Sequence, residues 1–97
     1  MVRGILINEK DNVLVVIEET HANDEVAYSD EDGNQDVVIA KENIPMFHKM
    51  AIKEIPKGSN VIKYGEHMGM ASQDIEAGQH VHTHNVESIR EDLKEEE

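Results

Sequence analysis

The sequence predicts a small all-β domain built from short strands and long hairpins. Short runs rich in valine and isoleucine alternate with clusters of asparagine, aspartate and glycine, a pattern typical of strands joined by turns. Pro45 and Pro56 each follow an isoleucine, which excludes a helix through either position. An internal repeat in the second half indicates the same class, since each full copy places a glycine before a new apolar run.

Length, composition and charge narrow the possible functions. The chain has 97 residues, which indicates one domain, and its lack of cysteine excludes a disulfide framework or a zinc–thiolate site. The formal net charge of −12 argues against nucleic acid and anionic membranes as partners, because binding either one needs a basic surface. No apolar run approaches the ~20 residues of a membrane span, and the N-terminal run is too short for a signal peptide. We therefore expect a cytoplasmic protein.

Two hairpins are predicted in the first half of the chain. The first pairs Gly4–Ile7 with Val13–Ile17, and the second pairs Glu25–Tyr28 with Gln35–Ala40. The second hairpin has an Asp-Gly dipeptide in its turn. Because Val13–Ile17 is continuously apolar, we expect it to be a central strand covered on both faces.

The repeat defines the backbone of the second half. Its two full copies are Ala51-x-x-Glu54-Ile55-x-x-Gly58-x-x-Val61 and Ala71-x-x-Asp74-Ile75-x-x-Gly78-x-x-Val81. A fainter third copy begins at Ile44 and has Phe47 where the others have glycine. In each full copy an isoleucine anchors the chain in the core and a glycine supplies a backbone angle that other residues resist. This arrangement predicts a pseudo-symmetric long hairpin.

Four further short strands are predicted after the first two hairpins. They are Lys49–Ile52, Asn60–Tyr64, Met68–Ala71 and His80–Asn85. The domain is predicted to cover residues 1–86. Residues 87–97 form an acidic tail whose composition is consistent with either a helix or a frayed end.

The histidines are the side chains best suited to chemistry. Side chains two apart in a strand share a face, so His80, His82 and His84 are predicted to lie ~7 Å apart at their Cα atoms on one face. Imidazole binds divalent metals and shuttles protons near neutral pH. The repeat symmetry suggests that His48 returns toward His80, although a plain surface position is equally consistent. The alternative to a metal site is an edge strand that carries three solvated histidines. Lys63 is a candidate for binding an anion.

His80-x-His82-x4-Glu87 has the spacing of a cupin metal motif. The interpretation fails because Asp74 stands where that motif requires a glycine. The residues after Glu87 are also too few for the remaining cupin strands.

The chain resembles a known family over residues 1–86, most densely from His48 to Asn85. The matching motifs are His48-Lys49-x-Ala51-Ile52, then Ile55-x-x-Gly58-x-x-Val61-Ile62-Lys63-Tyr64-Gly65, and then Gly69-x-Ala71-x-x-Asp74-Ile75-x-x-Gly78-x-His80-Val81-His82-x-His84-Asn85. They resemble the N-terminal SAF domain of the altronate dehydratase family, and a similar domain forms the small subunit of sulfolactate sulfo-lyase. The resemblance implies a β-clip fold. Phe47 departs from the family's usual glycine, so a different local turn is expected there.

The resemblance also implies a function. The chain would be the small subunit of a metal-dependent sugar-acid dehydratase and would help eliminate water from an aldonate such as altronate together with a large catalytic subunit. Alone it is expected to be inactive. The implied cofactor is a divalent metal, iron(II) or manganese(II).

The resemblance assigns roles to the site residues as well. The implied metal ligands are His80, His82 and His84, the implied catalytic residues are His82 and His84, and the implied substrate-binding residues are His48, Lys63 and Asn85. Three alternatives stay open: a non-catalytic sugar-acid-binding or regulatory module, a sulfolactate sulfo-lyase small subunit, and a part that only docks the large chain.

Overall fold

The computed structural model describes residues 1–6, 8–30 and 32–87, and these residues form β-strands joined by turns. The strands are β1 (Val2–Ile5), β2 (Val13–Val16), β3 (Glu25–Ser29), β4 (Gln35–Ile39), β5 (Lys49–Ala51), β6 (Asn60–Lys63), β7 (Glu66–Ala71), β8 (His80–Val81) and β9 (Val86–Glu87). The described ranges contain no helix, and so none that is long and apolar enough to cross a membrane. The predicted all-β class is confirmed.

The strands form two sheets. The larger has the order β4-β3-β1-β2-β5-β8, and the smaller has the order β6-β7-β9. Both predicted hairpins are present, because β1 pairs with β2 and β3 pairs with β4 in antiparallel fashion. The sequence did not predict that β1 and β3 also pair, in parallel, with Val2 opposite Val26. This pairing joins the two hairpins into one sheet.

Strand β2 lies at the centre of the larger sheet and separates two apolar cores. One core contains Val2, Leu14, Val16, Val26, Ala40, Ile44 and Met50. The other contains Val13, Ala51, Ile55, Val61, Ala71, Ile75 and Val81. Because side chains alternate along a strand, Leu14 and Val16 enter the first core while Val13 enters the second. The prediction of a central strand covered on both faces is confirmed.

The repeat occurs four times in the structure, as two bridged pairs. Thr20 pairs with Ile44, and Ile55 pairs with Ile75, in isolated antiparallel bridges. All four of these anchor residues are at most 1% exposed. The copy at Thr20 was missed from the sequence because a threonine replaces the isoleucine and an asparagine replaces the glycine.

Each copy turns through a residue with positive φ three positions after its anchor. These residues are Asn23 (φ 77°), Phe47 (φ 69°), Gly58 (φ 88°) and Gly78 (φ 94°). Their N–H groups donate to equivalent carbonyls in the partner copy, at Ala40 (2.7 Å), Val16 (2.7 Å), Ala71 (2.8 Å) and Ala51 (2.8 Å) respectively. The pseudo-symmetry that was predicted from two copies of the repeat therefore holds for four copies, which form two symmetric pairs.

The structure corrects two expectations. The turn at Phe47 does not differ from the glycine-containing turns, because Phe47 itself adopts the left-handed conformation despite its side chain. The predicted strand His80–Asn85 ends at Val81, and residues 82–85 form a turn held by the side chain of Asn85. Val86–Glu87 is a strand, β9, that pairs with β7. The rest of the predicted acidic tail lies outside the described residues.

Candidate functional site

His48 is placed by the strained turn at Phe47 and by strand β2. Its backbone N–H donates to the carbonyl of Pro45 (3.0 Å), and its carbonyl accepts from the N–H of Val16 (3.0 Å). Strand β5 begins at the next residue and pairs with β8, where Met50 lies opposite His80. The β5–β8 pairing therefore brings His48 next to His80.

His80 opens strand β8 beside a carboxylate that the sequence did not indicate. Its backbone N–H donates to Oε2 of Glu42 at 2.9 Å. Glu42 lies 38 positions earlier in the chain and outside every motif. Only the fold places it against the histidines, so no sequence signal could have identified it.

Asn85 closes the turn that carries His82 and His84. Its Oδ1 accepts from the N–H of His82 (3.0 Å), and its Nδ2 donates to the carbonyl of His80 (2.8 Å). The side chain is buried, with the residue only 3% exposed. Because the oxygen and the nitrogen of the side-chain amide are both hydrogen-bonded to the backbone, Asn85 acts on the site by holding the turn of residues 82–85 in place.

Three imidazoles converge to form a group that we call the histidine cluster, made of His48, His80 and His82. Nδ1 of His48 lies 2.9 Å from Nε2 of His80, and one donor nitrogen from each ring lies within 4.8 Å of the other two. The ring of His82 is 4.7 Å from that of His48 and is stacked 5.5 Å from that of His80, between centroids. His84 flanks the cluster, with its ring 5.3 Å from that of His80.

The donor set of the histidine cluster fits a divalent metal ion. Two nitrogens bound to one ion at ~2.0–2.1 Å in a tetrahedral arrangement lie roughly 3.3 Å apart. One nitrogen from each of the three rings lies within 4.8 Å of the other two, a range that includes this value. Imidazole nitrogens suit zinc, iron and nickel among the divalent metals.

The cluster differs in membership from the predicted ligand set. The sequence grouped His80, His82 and His84, whereas the structure brings His48 within reach of the first two. The cause is the turn after Val81, which removes the regular strand spacing on which the prediction rested. The expectation that His48 returns toward His80 is confirmed.

The environment of His80 favours its neutral form. Burial lowers the pKa of His80 below its ordinary value of 6.5, and the charges of His48, His84 and His82 lower it further. The carboxylate of Glu42 opposes this effect. A neutral imidazole has a free nitrogen lone pair, which is the form that binds a metal or accepts a proton.

Two lysines lie near the site without joining the cluster. Lys63, on β6, places its Nζ 4.5 Å from the ring centroid of Tyr64, and among the described residues it forms no ion pair with a carboxylate. Lys49 follows His48 directly and borders a cleft of about 200 Å³. The cleft is also lined by Val61, Met68, Val81, His82, Thr83 and Val86. The sequence showed Lys49 only as part of the motif that begins at His48 and assigned it no role in the site.

Comparison with known proteins supports the resemblance seen in the sequence. The family described as altronate/galactarate dehydratase SAF domain matches residues 2–89. Altronate dehydratase of Escherichia coli (strain K12) is 40% identical over 89 residues, which cover 92% of this chain and 17% of that protein. The (2R)-sulfolactate sulfo-lyase subunit alpha of Paracoccus pantotrophus is 49% identical over 51 residues, covering 53% of this chain and 76% of the subunit. Altronate dehydratase of Bacillus subtilis (strain 168) is 32% identical over 91 residues, again 17% of its length.

Proposed function

The chain belongs to the altronate/galactarate dehydratase SAF domain family, and from this membership we propose that it is the small subunit of a metal-dependent hydro-lyase. In this proposal it helps a separate large catalytic subunit to eliminate water from a sugar acid, an aldonate such as altronate, in the cytoplasm. The observation that carries the proposal is the convergence of His48, His80 and His82, whose donor nitrogens lie within 4.8 Å of one another.

The histidine cluster is proposed to hold iron(II) or manganese(II). When bound, such an ion acts as a Lewis acid that stabilises negative charge developing on the substrate carboxylate. His80 supports this role because its neutral form is favoured. Asn85 keeps the backbone of His80 and His82 in one arrangement, so the ligands are held in place before an ion binds.

His82 and His84 are proposed to move protons during the reaction. Both are exposed, as a group must be if it is to reach a substrate bound between two chains. Imidazole exchanges protons near neutral pH, and elimination needs a base for the proton next to the carboxylate and an acid for the departing hydroxyl. Lys63 and His48 are proposed to lie near the substrate carboxylate, and His48 also contributes a nitrogen to the cluster.

A large subunit is proposed to complete the site. The chain spans 17% of the length of the altronate dehydratases that it matches, so most of each of those proteins lies beyond the matched region. The histidine cluster also opens toward solvent through His82, leaving a surface where a second chain could add ligands. We expect this chain to be inactive by itself.

The proposal is tested by purifying the tagged chain from its source with whatever binds it. We expect a larger partner, metal in the complex, and altronate dehydration that a chelator abolishes. His82→Ala or His84→Ala should lower turnover by at least ~100-fold, the scale of losing a general acid or base. His21→Ala is the matched control, because His21 is exposed and its ring contacts Glu19 and Asp24. Loss of less than about threefold at each of the three cluster histidines and at His84 in an intact complex would contradict the proposal.

A second candidate is the small subunit of a sulfolactate sulfo-lyase. It is favoured by the 49% identity to a subunit alpha and by the match to 76% of that subunit's length. The same purified complex distinguishes the two candidates, because release of sulfite from (2R)-sulfolactate without altronate dehydration would support the second. Binding of a sugar acid without metal or turnover would instead support a non-catalytic binding module.

A further inference from the structure

Lys49 occupies an unusual position for a charged side chain. It lies in β5, with Val15 of β2 opposite it on one side and Val81 of β8 opposite it on the other. Directly opposite residues in antiparallel strands project to the same face, so Lys49 stands among apolar neighbours. Lys49 is half-buried, so its aliphatic stem packs among these side chains while its ammonium group needs water or an anion as a partner.

Within residues 1–6, 8–30 and 32–87, no carboxylate forms an ion pair with this lysine. The chain contains 21 aspartates and glutamates, yet among the described residues the ion pairs within 4.0 Å involve His21 and Lys41, and none involves Lys49 or Lys63. Burial lowers the pKa of Lys49, and the positive charge of Lys63 lowers it further. An anion bound beside Lys49 would offset both effects, because it would stabilise the charged form of the lysine.

The cleft beside Lys49 connects this charge to the histidine cluster. Its walls are apolar at Val61, Met68, Val81 and Val86, and His82 lies at its edge. Apolar walls exclude water and strengthen the attraction between a lysine and an anion. Its volume of about 200 Å³ suits a small group rather than a peptide or a cofactor.

From this geometry we infer that Lys49 and Lys63 form an anion-binding subsite that takes an acid group, a carboxylate or a sulfonate, of a small hydroxy acid. The two lysines and the cleft indicate only that the ligand carries a negative charge. That the ligand is a hydroxy acid rests on the proposed function. Lys49 is the principal residue because it lines the cleft, and Lys63 contributes its charge from β6. His82 at the edge of the cleft would then face the reacting part of the bound molecule.

The inference is tested on the full 97-residue chain stripped of metal by a chelator. Backbone amide resonances are followed by NMR during titrations with sulfate and with glycolate at constant ionic strength, and glycerol serves as an uncharged probe. We expect saturable shifts centred on Lys49, Val61 and Val81 for both anions and none for glycerol. Lys49→Gln should weaken binding by at least ~10-fold, and Lys63→Gln should weaken it less, by about threefold.

Lys57→Gln is the matched control, because Lys57 is exposed and does not line the cleft. Lys49→Met provides a second variant that keeps the length of the side chain, so the fold is expected to survive the loss of charge. Equal affinity in the wild type and both Lys49 variants would overturn the inference, as would shifts spread over all lysines without saturation. The titration needs no metal, no partner chain and no turnover, so its result is independent of whether the complex with a large subunit is active. Anion binding would support the subsite even if the complex had no dehydratase activity. Absence of anion binding would count against the subsite even if the complex were active.

Discussion

Nδ1 of His48 lies 2.9 Å from Nε2 of His80, although 32 positions separate the two residues in the chain. At this distance one nitrogen donates a proton and the other accepts it, so at least one of the two imidazoles offers a lone pair. A proton and a metal ion compete for that lone pair. The contact therefore links the protonation of the cluster to its capacity to bind metal.

Replacing His48 should weaken metal binding by the isolated chain. We expect His48→Ala to lower the affinity for iron(II) by at least ~10-fold, because one of three converging imidazole donors is lost. The measurement is isothermal titration calorimetry of the full chain near neutral pH. His21→Ala is the control and should bind as the wild type does, since its ring lies against Glu19 and Asp24. Equal affinity for both variants would rule out His48 as a ligand.

Replacing Asn85 should destabilise the fold and disturb the cluster. In Asn85→Ala the N–H of His82 and the carbonyl of His80 lose their buried partner, at a cost of about 1–3 kcal/mol in the free energy of unfolding. Urea unfolding measures this change. Thr83→Ala, at an exposed position of the same turn, should change stability by less than about 0.5 kcal/mol. Similar losses for both variants would contradict the role given to the Asn85 amide.

Phe47 stores backbone strain that a glycine would release. Its φ of 69° is one that residues with a Cβ adopt at a cost, and the residue is 66% exposed, so little packing offsets that cost. We expect Phe47→Gly to be about 1 kcal/mol more stable than Phe47→Ala, since both lose the ring and only glycine relieves the strain. Thermal unfolding compares the two variants. Asn23→Gly should change stability by less, because asparagine tolerates this conformation. Equal stability of the two Phe47 variants would show that the turn is unstrained.

The stability of the metal-free chain should fall as the pH drops below the ordinary imidazole pKa. The pKa of His80 is lower in the folded chain than its ordinary value of 6.5, so the unfolded chain binds more protons below that pH. This contribution to stability is present above 6.5 and is lost as the pH falls through the folded pKa. The charged or titratable groups that act on His80 are His48, His82, His84 and Glu42.

Urea unfolding of the wild type and of His80→Gln measures this dependence on pH. Between about pH 7.5 and about pH 5.5, the range in which imidazole titrates, the wild type should lose more stability than the variant. Carboxylates titrate in both chains, so their effect cancels in the comparison. Parallel curves for the two chains would contradict the prediction.

The strands and turns could be predicted well because their signals are local. Apolar runs separated by turn residues placed both early hairpins, and the glycines at 58 and 78 marked turns whose φ values are 88° and 94°. Where the turn residue was not glycine, the local signal failed. The copy at Asn23 was missed, and the turn at Phe47 was expected to differ although it adopts the same conformation.

The candidate site was predicted less completely, because it depends on contacts between distant segments. The spacing of the histidines indicated the right region, but the prediction took residues 80–85 as one strand. The side-chain amide of Asn85 instead holds residues 82–85 in a turn. Glu42 lies outside every motif, and Lys49 lies in a family motif that assigns it no role, so the contacts of both follow from the tertiary structure.

The sequence by itself determined the all-β class, the family, and the residue types available for chemistry. These depend on side-chain period, backbone preferences and motif spacing, all of which are properties of nearby residues. The tertiary structure alone brings His48 to His80 and His82 and places Lys49 at a cleft with largely apolar walls. The physical reason is that the register between β5 and β8 sets which side chains meet, and this register is established by packing across the whole domain.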